Sequence, residues 1–282
     1  MGLRPHLHFS PPYMATRRNS SFTPVDYLST LSDLEKVLKI QAVTLSAENT
    51  LTTGLLCTDL QIGGIRPGMY TIAGPEQSAK TTLAITAVGA SIPQHVPLTV
   101  LWDAEGSTGS SLDYVESIFQ TTGLNVTPEE LFGVRKDNKY IKKPLVYYRD
   151  EGEMETFYGW VSGLLRRLPD KRFEAGKWWY VYEATRENKA QFKGQYDVRM
   201  SSVGSGLYLP AEDSALQALI LIDSYPSLLP ASMDEDEVKS GMALQAREFS
   251  KHIPRVKGKL RAKRVAIIGI NQLRQKPGVM YG

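Results

Sequence analysis

The chain of 282 residues contains one cysteine, Cys57, and four histidines. A single cysteine excludes an internal disulfide, and the scattered histidines do not have the ligand spacing of a zinc site. No apolar run approaches the roughly 18 residues that a membrane span needs. These absences favour a soluble, intracellular protein of a reducing compartment, which we expect to be the cytoplasm of a bacterium or of a phage-infected cell.

An excess of charge of either sign is also missing. Lysine and arginine number 33 against 30 acidic residues, which gives a net charge of +3 and a sequence pI near 8.8. Such mild basicity permits nucleic-acid binding without arguing for it. Hydrophobic residues make up 42% of the chain, which suits one large α/β domain with appendages or two small domains.

Acidic residues are absent from residues 1–24, which contain several prolines and the pair Arg17-Arg18. We interpret this segment as a flexible arm, and an organellar transit peptide is the alternative. Within residues 25–50, Ser32-Asp33-Leu34-Glu35 has the spacing of a capping box and predicts a short helix to Lys39. One face of that helix is apolar and needs a partner, either the core or a neighbouring subunit.

The most informative segment is residues 74–82, which lie between a strand-like run and an apolar, helix-like run. In a phosphate-binding loop, backbone N–H groups and a helix N-terminus converge on an anion, and a lysine and a hydroxyl complete the site. We therefore expect Lys80 to bind the β- and γ-phosphates of a nucleoside triphosphate and Thr81 to bind Mg²⁺. The predicted nucleotide-binding residues of the loop are Gly74, Pro75, Glu76, Gln77, Ser78, Ala79, Lys80, Thr81 and Thr82.

Ala79 stands where this loop pattern usually has its second glycine. Glycine is favoured there because the backbone can adopt a positive φ and approach the phosphate closely. If φ is positive, the β-carbon of Ala79 costs on the order of 1 kcal/mol. Such a cost weakens the loop without forbidding it.

Polar residues follow three further strand-like runs. Asp223 ends the run 219–223, Glu105 lies just past the run 98–103, and Gln272 ends a run that begins at Arg264. In an α/β sheet these positions lie at the edge where ligands bind. Asp223 is a candidate Mg²⁺ ligand, Glu105 a candidate activator of water, and Gln272 a candidate sensor of the γ-phosphate.

Strands alternating with helices predict βαβ units and a mainly parallel sheet. A third strand is expected at 145–148, a helix from Met154 to Leu168, and another from Met242 to His252. Residues 51–66 are interpreted as turn-rich.

Residues 169–216 interrupt this alternation of strands and helices. Three short strands are expected there, at 178–182, 191–198 and 206–209, and they predict a β-rich insertion. Its mixture of aromatic and basic residues fits either a base-stacking surface or the hydrophobic layer of a small subdomain. The residues alone leave both interpretations open.

Taken in order, these segments resemble the RecA-type recombinases over about residues 51–282, apart from the insertion. The matching parts are residues 68–76 leading into Lys80-Thr81-Thr82, then 102–105, 221–224, and finally 270–274 with 278–282. Among P-loop ATPases, the Gly74-Pro75-Glu76 opening and the run 270–274 are specific to that family.

The resemblance implies a RecA-like ATPase core preceded by an oligomerisation element at 25–50, with ATP and Mg²⁺ as cofactors. It implies that Tyr114 stacks on adenine and that Gln272 couples the γ-phosphate to a DNA-binding loop beginning near Gly278. Residues 231–241 correspond to the first DNA-binding loop. The segment 33–39 belongs to the element that docks on the next protomer of a filament.

The chain departs from the family pattern at Ala79, at the insertion and in the acidic run 234–237 of the presumed first DNA loop. Acidic residues are unusual on a phosphate-facing surface, so that run is expected to be a solvated turn. These departures favour a specialised, phage-type member. Since the sequence stops within the presumed second DNA loop, we expect the core to be incomplete at its C-terminus.

The expected function is ATP-dependent homologous pairing and strand exchange, carried out by a filament on single-stranded DNA that engages a homologous duplex. Two alternatives remain open at this stage. One is a hexameric, helicase-type motor on the same core. The other is a scaffold that binds nucleotide or DNA without hydrolysing ATP.

Overall fold

The computed structural model describes residues 50–109, 111–137, 139–201, 204–232 and 238–273. Several expectations fall outside these ranges. They concern the N-terminal arm, the helix at 32–39, the acidic run 234–237 and the loop at 278–282.

The helices, in chain order, are α1 (Leu56–Ile62), α2 (Lys80–Ser91), α3 (Leu112–Thr121), α4 (Pro128–Phe132), α5 (Met154–Arg167), α6 (Arg186–Gln191) and α7 (Val238–Leu260). The strands are β1 (Gly68–Gly74), β2 (Leu98–Asp103), β3 (Val134–Lys136), β4 (Lys139–Lys142), β5 (Tyr147–Arg149), β6 (Asp170–Glu174), β7 (Lys177–Glu183), β8 (Asp197–Ser201), β9 (Gly204–Pro210), β10 (Ala218–Asp223) and β11 (Val265–Gln272). A 3₁₀ turn spans Tyr225–Ser227.

A parallel sheet with the strand order β1-β11-β10-β2-β5 forms the centre of the fold. Its register places Gly74 opposite Gln272, and Asp223 opposite Asp103. All six residues of β10 are buried, as expected for a strand covered on both faces. The prediction of an α/β fold with a mainly parallel sheet is confirmed, and the register brings the strand ends to one edge.

Helices cover the sheet on both sides. On one face, α2 and α3 pack Ile85, Val88 and Phe119 against β1, β10 and β11. On the other, α5 contributes Phe157 and Val161 to a second apolar layer with α7. Apolar burial of this kind, about 25 cal/mol per Å², holds the strand ends in fixed register.

The insertion forms a separate antiparallel sheet, with the strand order β6-β7-β9-β8, and one short helix, α6. The strand expected at 191–198 is wrong, because α6 occupies Arg186–Gln191 and β8 begins at Asp197. The N-cap explains the error: the Thr185 side chain accepts a hydrogen bond from the backbone N–H of Asn188.

Several elements were absent from the sequence predictions, among them α1, α3, α4, β6 and the hairpin of β3 and β4. Helix α1 lies within the stretch interpreted as turn-rich, and it ends at Gly63 in the left-handed conformation (φ 69°). Strands β3 and β4 form an antiparallel hairpin before β5. Among the described helices, none combines the length and the apolar character that crossing a bilayer would require.

Candidate nucleotide-binding site

The phosphate-loop segment joins the end of β1 at Gly74 to the start of α2 at Lys80. Ala79 is the N-cap of α2 and has φ 58° and ψ 26°, which is the left-handed conformation. The loop therefore has the positive φ that explains why glycine is usual at this position. At Gly74, an added β-carbon would lie 2.7 Å from the Ser78 hydroxyl, so a larger residue here would force the Ser78 side chain to move.

Two side chains bond to the same backbone carbonyl within the loop. The Ser78 hydroxyl donates to the Pro75 oxygen at 2.8 Å, and the Lys80 ammonium donates to it at 2.5 Å. The loop thus folds around the lysine, which is also the first residue of α2. A cation at a helix N-terminus beside free backbone N–H groups is a suitable receptor for phosphate.

Thr81 and Asp223 meet at the same sheet edge. The Thr81 hydroxyl donates to an Asp223 carboxylate oxygen at 3.0 Å, and Asp223 is only 2% exposed. Burial raises the pKa of Asp223 to about 6, and the nearby charges of Glu105 and Asp103 also raise it. The Thr81 hydrogen bond and the Lys80 charge lower it in part.

A hydroxyl and a carboxylate are hard oxygen donors of the kind that Mg²⁺ prefers, and Mg²⁺ usually takes one or two protein ligands together with water and phosphate oxygens. Thr81 and Asp223 fit that requirement. No cluster of three or more His, Cys, Asp or Glu side chains with metal-binding geometry occurs among the described residues.

Glu105 connects three strand ends through one carboxylate oxygen. That oxygen accepts hydrogen bonds from Ser224 Oγ at 2.6 Å, Gln272 Nε2 at 3.0 Å and Ser227 Oγ at 3.3 Å. The backbone N–H of Glu105 donates to the Asp223 carbonyl at 3.1 Å. Glu105 and Gln272 are 167 positions apart in the chain, yet the parallel register brings them into direct contact.

Tyr114 lies on α3 and is 45% exposed. Its hydroxyl shares a 2.5 Å hydrogen bond with the Thr82 hydroxyl on α2. An aromatic ring with an accessible surface therefore lies beside the helix that follows the phosphate loop.

A second buried carboxylate, Asp103, has no role among the sequence-based predictions. One of its oxygens accepts hydrogen bonds from the backbone N–H groups of Thr108 and Gly109, at 2.9 and 3.0 Å, and from the Tyr148 hydroxyl at 2.8 Å. Burial, together with this bond to Asp103, raises the pKa of Tyr148. A strand ending in Asp, as β10 also does, was the signal that could have identified it.

Asp103 organises the loop after β2 and so fixes the path of the chain to Glu105. The serines after β10 were also missed as Glu105 partners. Side-chain hydrogen bonds join the predicted site residues in three pairs: Thr81 with Asp223, Thr82 with Tyr114, and Glu105 with Gln272.

A central parallel sheet covered by helices, with a loop that joins the end of its first strand to the next helix, defines this chain as an α/β protein. A sequence model of the RecA N-terminal domain family matches residues 211–282. Protein RecA of Arthrospira platensis is 26% identical over 236 residues, which are 83% of this chain and 45% of that protein. Protein RecA of Aquifex pyrophilus is 27% identical over 262 residues, covering 89% and 55% of the two chains.

A crystal structure of the RadB recombinase aligns with a TM-score of 0.45 and 19% identity, over 82% of this chain and 74% of that one. In sequence, this chain is similar to the RecA-type recombinases over most of its length. It spans about half the length of the curated relatives it matches.

Proposed function

We propose that this protein is a DNA-dependent ATPase that uses ATP and Mg²⁺ to drive homologous pairing and strand exchange. The supporting observation is the convergence, on one sheet edge, of the phosphate loop, the Thr81–Asp223 pair and the Glu105–Gln272 pair. The RecA matches support the recombination class at the level of the family.

In this proposal the loop N–H groups and Lys80 bind the triphosphate, and Tyr114 packs against the adenine. Thr81 and Asp223 hold Mg²⁺, which neutralises charge on the phosphates when it is bound. Asp223 must be ionised for that role. Its raised pKa means that metal and proton compete for it below about pH 6.

Glu105 is the proposed activator of the attacking water. Ser224 and Ser227 orient its carboxylate through one oxygen, so the second oxygen is available to accept a proton. Gln272 is the proposed link between the γ-phosphate and the DNA-binding segment after β11. The hydrogen bond from Gln272 to Glu105 supports that link. Loss of the γ-phosphate would change the hydrogen-bond partners available to both side chains.

Filament formation on single-stranded DNA and engagement of a homologous duplex complete the proposal, with activity in the cytoplasm. Contacts with the DNA backbone should make binding salt-sensitive and largely independent of base sequence. The test is electron microscopy with a slowly hydrolysed ATP analogue and single-stranded DNA, paired with a strand-exchange assay.

Helical filaments with exchanged strands are the expected result. Closed rings with duplex unwinding would assign the protein to the hexameric motors instead. Nucleotide binding without assembly or turnover would support the scaffold alternative.

A further inference from the structure

A polar groove of about 680 Å³ lies between the end of α5 and the insertion sheet. We call it the insertion groove, and its charged lining is Arg166, Arg167, Asp170, Arg172, Glu183 and Lys263. Its volume is within the range of sites that bind small molecules or polymer segments. The groove is therefore large enough to hold a ligand.

The lining carries four cations against two carboxylates. Asp170 is shared between two of the cations, at 2.9 Å from Lys263 Nζ and 3.7 Å from an Arg172 nitrogen. Arg166 and Arg167 are exposed, and neither forms an ion pair in the described part of the chain. Arg166 Nε donates to the Ser162 carbonyl at 3.3 Å, and the terminal nitrogens of the two guanidinium groups face no carboxylate partner within the described residues.

The groove is held in a defined shape by buried polar contacts. The Gln217 side-chain amide donates to both the Pro169 and Lys263 carbonyls at 2.8 Å, and the Lys171 N–H donates to the Ala262 carbonyl at 3.0 Å. These bonds join the insertion to the segment before β11. The cations are consequently presented on a pre-organised surface.

The groove lies at the sheet edge opposite the nucleotide site. Gln217 precedes β10 and Lys263 precedes β11, whereas Asp223 and Gln272 end those strands. Helix α5 begins at the nucleotide edge and runs toward the groove, where Arg167 ends it. The insertion groove is therefore separate from the phosphate loop.

We propose that the insertion groove binds the phosphate backbone of a single-stranded nucleic acid. Arginine matches phosphate geometry through paired N–H donors, which favours an anion carrying several phosphates. Tyr182, partly buried, lines the groove among these cations. A cationic groove with an aromatic ring is the combination that single-strand binding uses. The proposal does not depend on ATP turnover.

The test measures binding of a labelled oligothymidine to the full chain by fluorescence anisotropy, without nucleotide, over a range of salt concentrations. Arg166→Gln with Arg167→Gln should weaken binding about fivefold or more at low salt. It should also reduce the slope of log affinity against log salt by about 1.4, because two phosphate contacts are lost. Lysine at both positions should retain most of the binding.

The matched control is Lys189→Gln with Lys193→Gln, which removes the same charge from exposed positions of the insertion outside the groove. It should change affinity less than about twofold. Equal losses in the two double variants, or no loss in either, would overturn the proposal. Melting curves identify a variant that fails to fold, and the single changes Arg166→Gln and Arg167→Gln then carry the test, each with an expected loss of about 0.7 in the salt slope.

Inorganic pyrophosphate and a polyglutamate peptide serve as competitors at constant ionic strength. Weak competition by both is expected if the groove recognises a strand. The proposal would be overturned if either competitor bound as tightly as oligothymidine and if the glutamine pair lost only the binding of that competitor. The groove would then be a site for small anions or acidic peptides. Lys80→Ala should leave groove binding unchanged, so failure of the proposed ATPase would be recognised separately.

Discussion

The central parallel sheet and the four-stranded insertion sheet differ in where their charged side chains lie. In the central sheet the charged side chains of Asp223 and Glu105 collect at the strand ends beside the phosphate loop, together with the polar amide of Gln272. In the insertion sheet they lie across the faces: the Arg199 guanidinium is 4.4 Å from the Trp179 ring and 4.7 Å from the Tyr208 ring.

The difference follows from how each sheet is covered. When both faces of a parallel sheet are buried, polar residues are accommodated mainly at the strand ends. That edge of the sheet is also where ligands bind in α/β proteins. In the antiparallel insertion sheet, cations pack on aromatic rings. These cation–π contacts stabilise the fold and have no catalytic role. We therefore expect changes in the central edge to alter turnover and changes in the insertion sheet to alter stability or strand binding.

The largest effect is expected from Glu105→Gln. Replacing the proposed activator of water should lower ATP turnover by about 10²- to 10⁴-fold, while ATP affinity changes little. Steady-state hydrolysis and equilibrium nucleotide binding measure the two quantities. Glu187→Gln, on the exposed surface of α6, is the matched control and should keep normal turnover. Normal turnover in Glu105→Gln would remove this residue from the mechanism.

The second effect is on stability and concerns Trp178. This side chain is 5% exposed and packs against Phe173 at 5.1 Å, with the Arg264 guanidinium 4.8 Å from its ring. Trp178→Ala should lower the free energy of unfolding by about 3–5 kcal/mol, as measured by urea denaturation. Nucleotide affinity should not change, because the insertion sheet supplies none of the site side chains.

Trp179→Ala is the comparison for that variant, since Trp179 is more exposed than Trp178. A smaller loss of stability is expected. Equal losses of stability in the two variants would show that Trp178 and Trp179 contribute equally to the packing of the insertion sheet, which would contradict this prediction. Burial would then not separate the aromatic residues of the hydrophobic layer from those of a base-stacking surface.

The third effect depends on pH and concerns Asp223. Below pH 3.8 the carboxyl is protonated in both the folded and unfolded protein and imposes no penalty. Between pH 3.8 and about 6 only the unfolded protein ionises, so native stability falls as pH rises. Without magnesium, Asp223→Asn should be more stable than the parent by up to about 3 kcal/mol above pH 6.

The stability gain of Asp223→Asn should shrink toward zero near pH 4, as measured by denaturation at several pH values. Asp137→Asn, at an exposed turn, is the matched control for the loss of one carboxylate. A constant gap at all pH values would contradict the raised pKa of Asp223. Magnesium-dependent stabilisation by ATP should be lost in Asp223→Asn.

The smallest effect is expected from Ala79→Gly. Relief of the left-handed strain should raise the free energy of unfolding by up to about 1 kcal/mol and should preserve or raise ATP affinity. Ala175→Gly is the control in the insertion sheet, because Ala175 also has a positive φ of 53°. It should affect stability similarly without changing ATP binding. A large affinity loss in Ala79→Gly would mean that the loop binds nucleotide in another conformation.

The sequence predicted the central sheet and its edge because both depend on local patterns. Continuous apolar runs marked the buried strands, and a polar residue after each run marked the edge. The Thr81–Asp223 pair was expected from the position of Asp223 at a strand end, whereas the Glu105–Gln272 hydrogen bond was not predicted.

The contacts of Asp103 with Tyr148, and of Glu105 with Ser224, depend on side-chain distances across the fold, which no local pattern contains. The insertion was recognised as β-rich, but the faces of its strands could not be assigned. In β7, Trp178 is buried and its neighbour Trp179 is not, and only the pairing with β6 decides which is which. The insertion groove also depends on residues far apart in the chain, such as Arg167 and Lys263.

The most direct test of the account is ATP hydrolysis by the parent and by Lys80→Ala, each with and without single-stranded DNA. The account predicts turnover that rises with DNA in the parent and is lost in Lys80→Ala, because the lysine at the start of α2 is the proposed phosphate ligand. ATP binding by the parent without turnover, with or without DNA, would contradict the central claim and identify a non-hydrolysing scaffold.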